Sequence, residues 1–115
     1  MDLEDKKIAG FHSDQRKDLV DDLINLINSG PFKSTLRIAI IVLLGINGPL
    51  TFTDLQRSLR TGKGSLKNHL DVLEMDGFVE IKNIITLKGP RLIYRITGKG
   101  KEFYEKYIRL FSNFK

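Results

Sequence analysis

Between Lys17 and Asn28, Leu19, Leu23 and Ile27 recur at helical spacing with Val20 and Ile24 beside them, so the chain places two adjacent apolar stripes on one predicted helix. Ser29-Gly30-Pro31 ends it. Phe32 and Ser34 introduce a second helix, Thr35 to about Ile46, which is apolar nearly all round from Leu36 to Leu44 and is therefore expected to be buried on several sides. Asn47-Gly48-Pro49 marks a turn, and Pro49-Leu50-Thr51 suits a short edge strand.

From Thr51 to Ile81 the pattern predicts two helices, a tight turn between them, and the start of a strand. Thr51 or Thr53 can cap the first helix, Asp54 complements its positive end, and Leu55 and Leu59 form its apolar pair. After Arg60-Thr61-Gly62, Leu66, Leu70 and Leu73 turn inward on a second helix that Gly77 terminates. Gly64, Lys67, Asn68 and Asp71 then turn outward, with Lys63 and Ser65 near the first turn. The charged residues from Arg57 to Leu70 are Arg57, Arg60, Lys63 and Lys67, with no acid among them. Such a helix suits a phosphate-lined groove, because its first turn offers backbone N–H groups and a positive dipole end.

Beyond Gly77 the residues favour strands. Phe78 to Lys82 and Arg91 to Thr97 read as a hairpin, with Lys88-Gly89-Pro90 supplying turn residues and a long basic tip carrying Lys82, Lys88 and Arg91. Arg95 lies on the same hairpin, and Glu80 is its only acid. Ile84, Ile85 and Leu87 are unexpected near a solvated tip and either extend the strand or meet a partner. Thr97 caps a last helix, on which Phe103, Tyr107, Leu110 and Phe114 form one stripe and Tyr104, Ile108 and Phe111 a second. That double stripe is wider than one core contact needs, so Leu23, Ile27, Phe103, Tyr107, Phe111 and Phe114 are the candidates for dimerisation.

Charge sharpens this picture. The net charge of +5 hides seven acids against four bases in residues 1–22, which leaves +8 on residues 23–115. A basic surface fits nucleic acid, an anionic membrane or an acidic protein. The longest apolar run, Ile38 to Leu44, is far shorter than a membrane span, and MDLEDKKIAG is polar and acidic, unlike a signal peptide. A soluble, cytoplasmic protein without a membrane partner is the expectation.

Catalytic chemistry finds no carrier. With no cysteine there is no thiolate nucleophile, disulfide or thiolate metal site. Neither a glycine-flanked serine with a base nor a helical pair of metal-binding histidines occurs. Gly62-Lys63-Gly64-Ser65 lacks the leading glycine of a phosphate loop and follows a helix instead of a strand. His69 beside Leu70 is read as a packing and hydrogen-bonding residue, the only other histidine being His12. No enzyme, cofactor or metal is expected.

The run LRIAIIVLLGINGPLTFTDLQRSLRTGKGSLKNHLDVLEMDGFVEIKN, followed by RLIYRITGKGKEF, resembles the small bacterial and archaeal winged helix-turn-helix transcriptional regulators of the MarR/ArsR-like group. Phe52, Asp54 and Leu55 resemble the start of that group's second helix; Gly64, Leu66, His69, Leu70, Leu73, Glu74, Gly77, Phe78 and Val79 resemble its recognition-helix signature. Tyr94, Ile96, Thr97, Gly100 and Phe103 are similar to the junction of the wing with the last helix. The resemblance implies a mainly α fold with a small β-hairpin, a winged helix-turn-helix with extra N- and C-terminal helices. It also implies a recognition helix (about 63–76) in the major groove of double-stranded DNA and a basic wing (about 82–95) on the backbone or minor groove.

The organisation expected is a mobile tail over 1–16, a helix over 17–30, the DNA-binding unit over 31–97 and a closing helix over 98–115. Arg57, Arg60, Lys63, Ser65, Lys67, Asn68, Lys82, Lys88 and Arg91 are the candidate DNA contacts. Asn68 stands where the group often has arginine, and its amide suits adenine, not guanine. A homodimer is expected, while a small-molecule effector is an analogy with no residue to carry it. The alternatives are a protein-interaction module built on Ile84, Ile85 and Leu87, or a chromatin-like DNA binder.

Overall fold

The structure, a computed structural model, describes residues 13–28, 30–31 and 34–112. Its elements run α1 (Ser13–Ile27), α2 (Thr35–Asn47), β1 (Leu50–Thr51), α3 (Phe52–Leu59), α4 (Lys63–Met75), β2 (Val79–Thr86), β3 (Gly89–Ile96) and α5 (Gly98–Ser112). Mainly helical, with one small antiparallel sheet in the order β1-β3-β2, this is the winged helix fold. Residues 1–12 of the expected tail lie outside the described residues. Helix α1 begins four residues earlier than the apolar spacing predicts. The spacing could not reveal that first turn, because Asp14-Gln15-Arg16 carries no apolar residue although glutamine and arginine are good helix formers.

The helix boundaries follow from local chemistry. Ser34 Oγ accepts from the Arg37 N–H to cap α2. Between the two candidates for the α3 cap, the structure selects Thr51. The Asp54 N–H donates to Thr51 Oγ1 at 3.1 Å and the Thr51 N–H donates to Asp54 Oδ2 at 3.2 Å, a reciprocal capping box. At the far end of α4 the Phe78 N–H reaches the Leu73 carbonyl and the Gly77 N–H the Glu74 carbonyl. That bond pair is a Schellman motif, and it needs the left-handed Gly77, whose φ is +83°.

One core joins every layer. Ile40, Ile41 and Leu44 of α2, Leu55 of α3, and Leu66, Leu70 and Leu73 of α4 are essentially inaccessible. Val79 and Tyr94 cover them from the sheet, Phe103 and Leu110 from α5, and Leu19 and Leu26 from α1. Burying each such side chain is worth about 1.5–3 kcal/mol. The alternating face of the sheet and the leucine stripe of α4 thus hold α4 and the hairpin to one shared core.

The hairpin departs from expectation. Its strands pair continuously from Val79↔Ile96 to Thr86↔Gly89, so residues 83–86 and 89–90 are strand and not a long tip. Only Leu87 and Lys88 remain in the turn. Thr86 Oγ1 accepts from the Lys88 N–H at 3.2 Å and donates to the Gly89 carbonyl at 2.7 Å, while Gly89 adopts φ +107°. Pro90 fits within β3 because β1 reaches only Ile93 and Tyr94, leaving that edge of β3 open beyond them.

Candidate nucleic-acid interface

Helix α4 turns its leucines into the core, and the 100° step between residues leaves Lys63, Gly64, Ser65, Lys67 and Asn68 exposed on the other side. No side chain caps its first turn, and no acid lies in that turn. Backbone N–H groups there face outward beside Lys63, the arrangement that receives an anion at a helix N-terminus. Arg60 sits exposed in the turn before it, held in the left-handed region at φ +52° with its N–H on the Gln56 carbonyl.

Lys67 is less free than its spacing suggests. Its Nζ donates to Asp71 Oδ1 at 2.6 Å, one helical turn on, and this hydrogen bond raises the ammonium above its ordinary pKa. Asp71 therefore shares the outward face of α4 with that cation. Lys82 is also diverted. Glu80 on the same strand face draws in both Lys82, at 3.4 Å, and Arg95, at 3.3 Å, so these cations neutralise an acid near the base of the wing.

Arg57, Lys88 and Arg91 converge. They line one open cleft of about 550 Å³ together with Thr51, Thr53 and Asp54. The cleft lies between the start of α3 and the wing, because β1 pairs Thr51 with Ile93 and so brings the helix start beside β3. Asp54 is engaged in the capping box, and three cations against its one carboxylate, with the exposed Thr53, give the cleft a positive lining. Thr53 was outside the expected contacts. Its position two residues after the capping Thr51, in the first turn of α3, was the available signal, though the pairing that brings the wing to it spans about forty residues.

His69, on the same helix but half-buried, accepts from Arg37 Nε at Nδ1, 3.1 Å away. Burial, and secondarily the charge of Arg37, lower its pKa. The residue ties α4 to α2. Among the described residues, no group of three histidines, cysteines or acids is placed to hold a metal ion, and no helix is long and apolar enough to cross a membrane.

The expected dimerisation residues separate. Phe103 is only 4 % exposed, packed edge-on against Phe78 at 6.0 Å, because its side of the double stripe is the one that faces the core. It contributes no surface. Tyr107 is half-buried between Phe103 and Phe111, and Phe111 is 57 % exposed. Leu23 is exposed on α1 beside Val20 and Ile24. The Ile27 side chain and Phe114 lie outside the described residues.

Comparison with known proteins agrees with this geometry. The sequence profile of a winged helix DNA-binding domain matches residues 36–114. Protein MJ0432 of Methanocaldococcus jannaschii is 35 % identical over 77 residues, covering 67 % of this chain and 84 % of the relative. A transcriptional regulator homologue from Pyrococcus horikoshii superposes with a TM-score of 0.67 at 25 % identity, covering 80 % of this chain and 91 % of its own. A transcriptional regulator of the MarR family from Enterococcus faecalis gives the same TM-score at 20 % identity, covering 80 % and 81 %, and so shares the fold. With an uncapped basic helix, a wing beside it and a family profile spanning both, the chain belongs to the winged helix DNA-binding domain family and has the build of a DNA-binding transcriptional regulator.

Proposed function

We propose that this regulator binds double-stranded DNA as a homodimer, each protomer placing α4 in a major groove while the cleft at the wing grips the flanking backbone. The observations that carry the reading are the convergence of Arg57, Lys88 and Arg91 from α3 and the wing on one cleft, and the exposure of Lys63, Ser65, Lys67 and Asn68 on α4. Lys63 and the free first-turn N–H groups are assigned to phosphate, and Ser65 and Asn68 to base edges. Arg60 is assigned to phosphate beside them. Lys82 is given no contact, since Glu80 holds it. No catalytic step is assigned to any residue, and the site of action is wherever the cell keeps its DNA, the cytoplasm in a prokaryote.

Base reading and phosphate gripping have different signatures. Asn68→Ala is expected to lower affinity for a selected binding sequence by about 5- to 150-fold, the worth of one good bidentate base contact, with little change on mixed-sequence DNA. Lys63→Ala should weaken both DNAs alike. Fluorescence anisotropy on a selected and a mixed duplex measures both, and equal losses for Asn68→Ala on the two would remove α4 from the base-reading role.

A further inference from the structure

Leu87 is fully exposed at the very end of the wing, and Ile85, two residues before it, is 82 % exposed. By strand alternation Ile85 lies on the same face as Val79 and Ile81, but past the end of the core. Neither side chain serves the fold. The turn that presents Leu87 is nonetheless fixed by both hydrogen bonds of the Thr86 hydroxyl and by the left-handed Gly89. Cations flank the tip, with Lys88 next in the chain and Arg91 and Arg57 along the adjoining cleft.

We propose that Leu87, backed by Ile85, is an apolar wedge that enters the minor groove and opens a base step, so that the wing reads DNA deformability. This rests on the DNA-binding reading above. Paired strands are about 4.8 Å apart, and the minor groove is about 6 Å wide, so a hairpin can send in only the side chains at its tip. Leu87 is that side chain, and Lys88 and Arg91 stand where the groove's phosphate rims would lie. Apolar wedges of this kind unstack a step and bend the duplex, most readily at flexible pyrimidine–purine steps. A protein partner fits less well, because a stable interface covers about 800 Å² per side, and this ridge is one hairpin wide with charges on its flanks.

The test is energy transfer between dyes at the two ends of a mixed-sequence duplex of about three helical turns, read together with affinity at several salt concentrations. Wild-type protein is expected to shorten the end-to-end distance. Leu87→Ala should lose that bend and about tenfold in affinity, the scale of burying one leucine side chain, with an unchanged salt slope. Leu87→Met, which keeps an apolar tip, should retain the bend. Lys88→Ala should keep the bend and lower the salt slope by about one. Wild-type binding without bending, or Leu87→Ala binding within about twofold of wild type with the same bend, overturns the wedge and leaves the DNA reading standing. No binding by wild type at any salt overturns the DNA reading itself, and the wedge with it.

Discussion

Gly100 sits where the wing, the recognition helix and the last helix meet, and any side chain there would run into the Phe78 carbonyl and the Ile96 side chain. A backbone oxygen held in the Thr97 N–H···O bond cannot step aside. Gly100→Ala is therefore expected to cost about 1–3 kcal/mol, visible as a lower urea midpoint with an unchanged slope. An unchanged midpoint would mean that this junction is looser than described. Thr97 joins the same elements, donating to the Gly77 carbonyl at 2.5 Å and accepting from the Gly100 N–H at 3.1 Å. His69 adds a pH dependence. Its folded pKa lies below its ordinary value of 6.5, first through burial and then through Arg37, so protonation disfavours the folded state. Its contribution is complete above about pH 6.5 and is lost as pH falls through the unfolded value toward the folded one. His69→Asn keeps an acceptor for Arg37 without a titrating ring, so its unfolding free energy should vary less between pH 5 and 7 than that of wild type. Equal variation in the two proteins would remove His69 from the acid sensitivity.

The recognition helix carries its own restraint. Asp71 holds Lys67 on the outward face, and a carboxylate there repels DNA. Asp71→Asn is expected to tighten mixed-sequence DNA binding several-fold and to steepen its salt dependence, since Lys67 then becomes available to phosphate; equal or weaker binding would place Lys67 away from the backbone. This pairing shows where sequence reading stops. The Leu66, Leu70 and Leu73 stripe, a threonine cap at Thr51 or Thr53 and the Gly77 stop are local patterns of period or turn chemistry, and they were legible, although the choice of Thr51 was left to the structure. Which acid neutralises which base is decided by rotamers, so Lys67 and Lys82 read as free when Asp71 and Glu80 hold them. The wing's length was hidden for another reason. Lys88-Gly89-Pro90 resembles a turn on composition, whereas the Thr86 hydroxyl and the Gly89 backbone set the actual turn at Leu87-Lys88, with an apolar residue in it. The cleft needed tertiary pairing to be seen, as Arg57 and Arg91 are far apart in the chain. The double stripe of α5 was evident, but not which half faces inward.

In the molecule as a whole, two broad surfaces stand out besides the wing tip among the described residues. One is basic and comprises the α4 face and the cleft at the wing. The other is apolar, where Val20, Leu23 and Ile24 of α1 and Ile108 and Phe111 of α5 stay exposed on neighbouring helices that Asp22 and Arg109 tie together at 3.0 Å. A homodimer would bury that second surface and present two basic surfaces to one duplex. Ile24→Glu with Phe111→Glu should then yield monomers by sedimentation equilibrium, with affinity for a two-site duplex falling much more than folding stability. A wild-type chain that sediments as a monomer at high micromolar concentration would end the dimer reading. The binding surface itself is tested most directly by the salt dependence of affinity for duplex DNA, measured by anisotropy between roughly 50 and 200 mM salt. Wild-type protein is expected to show a linear fall of log affinity with log salt. The Arg57→Ala, Lys88→Ala, Arg91→Ala triple variant is expected to show a slope shallower by roughly two to three per protomer. Identical slopes, or wild-type affinity indifferent to salt, would contradict the assignment of the cleft to the phosphate backbone.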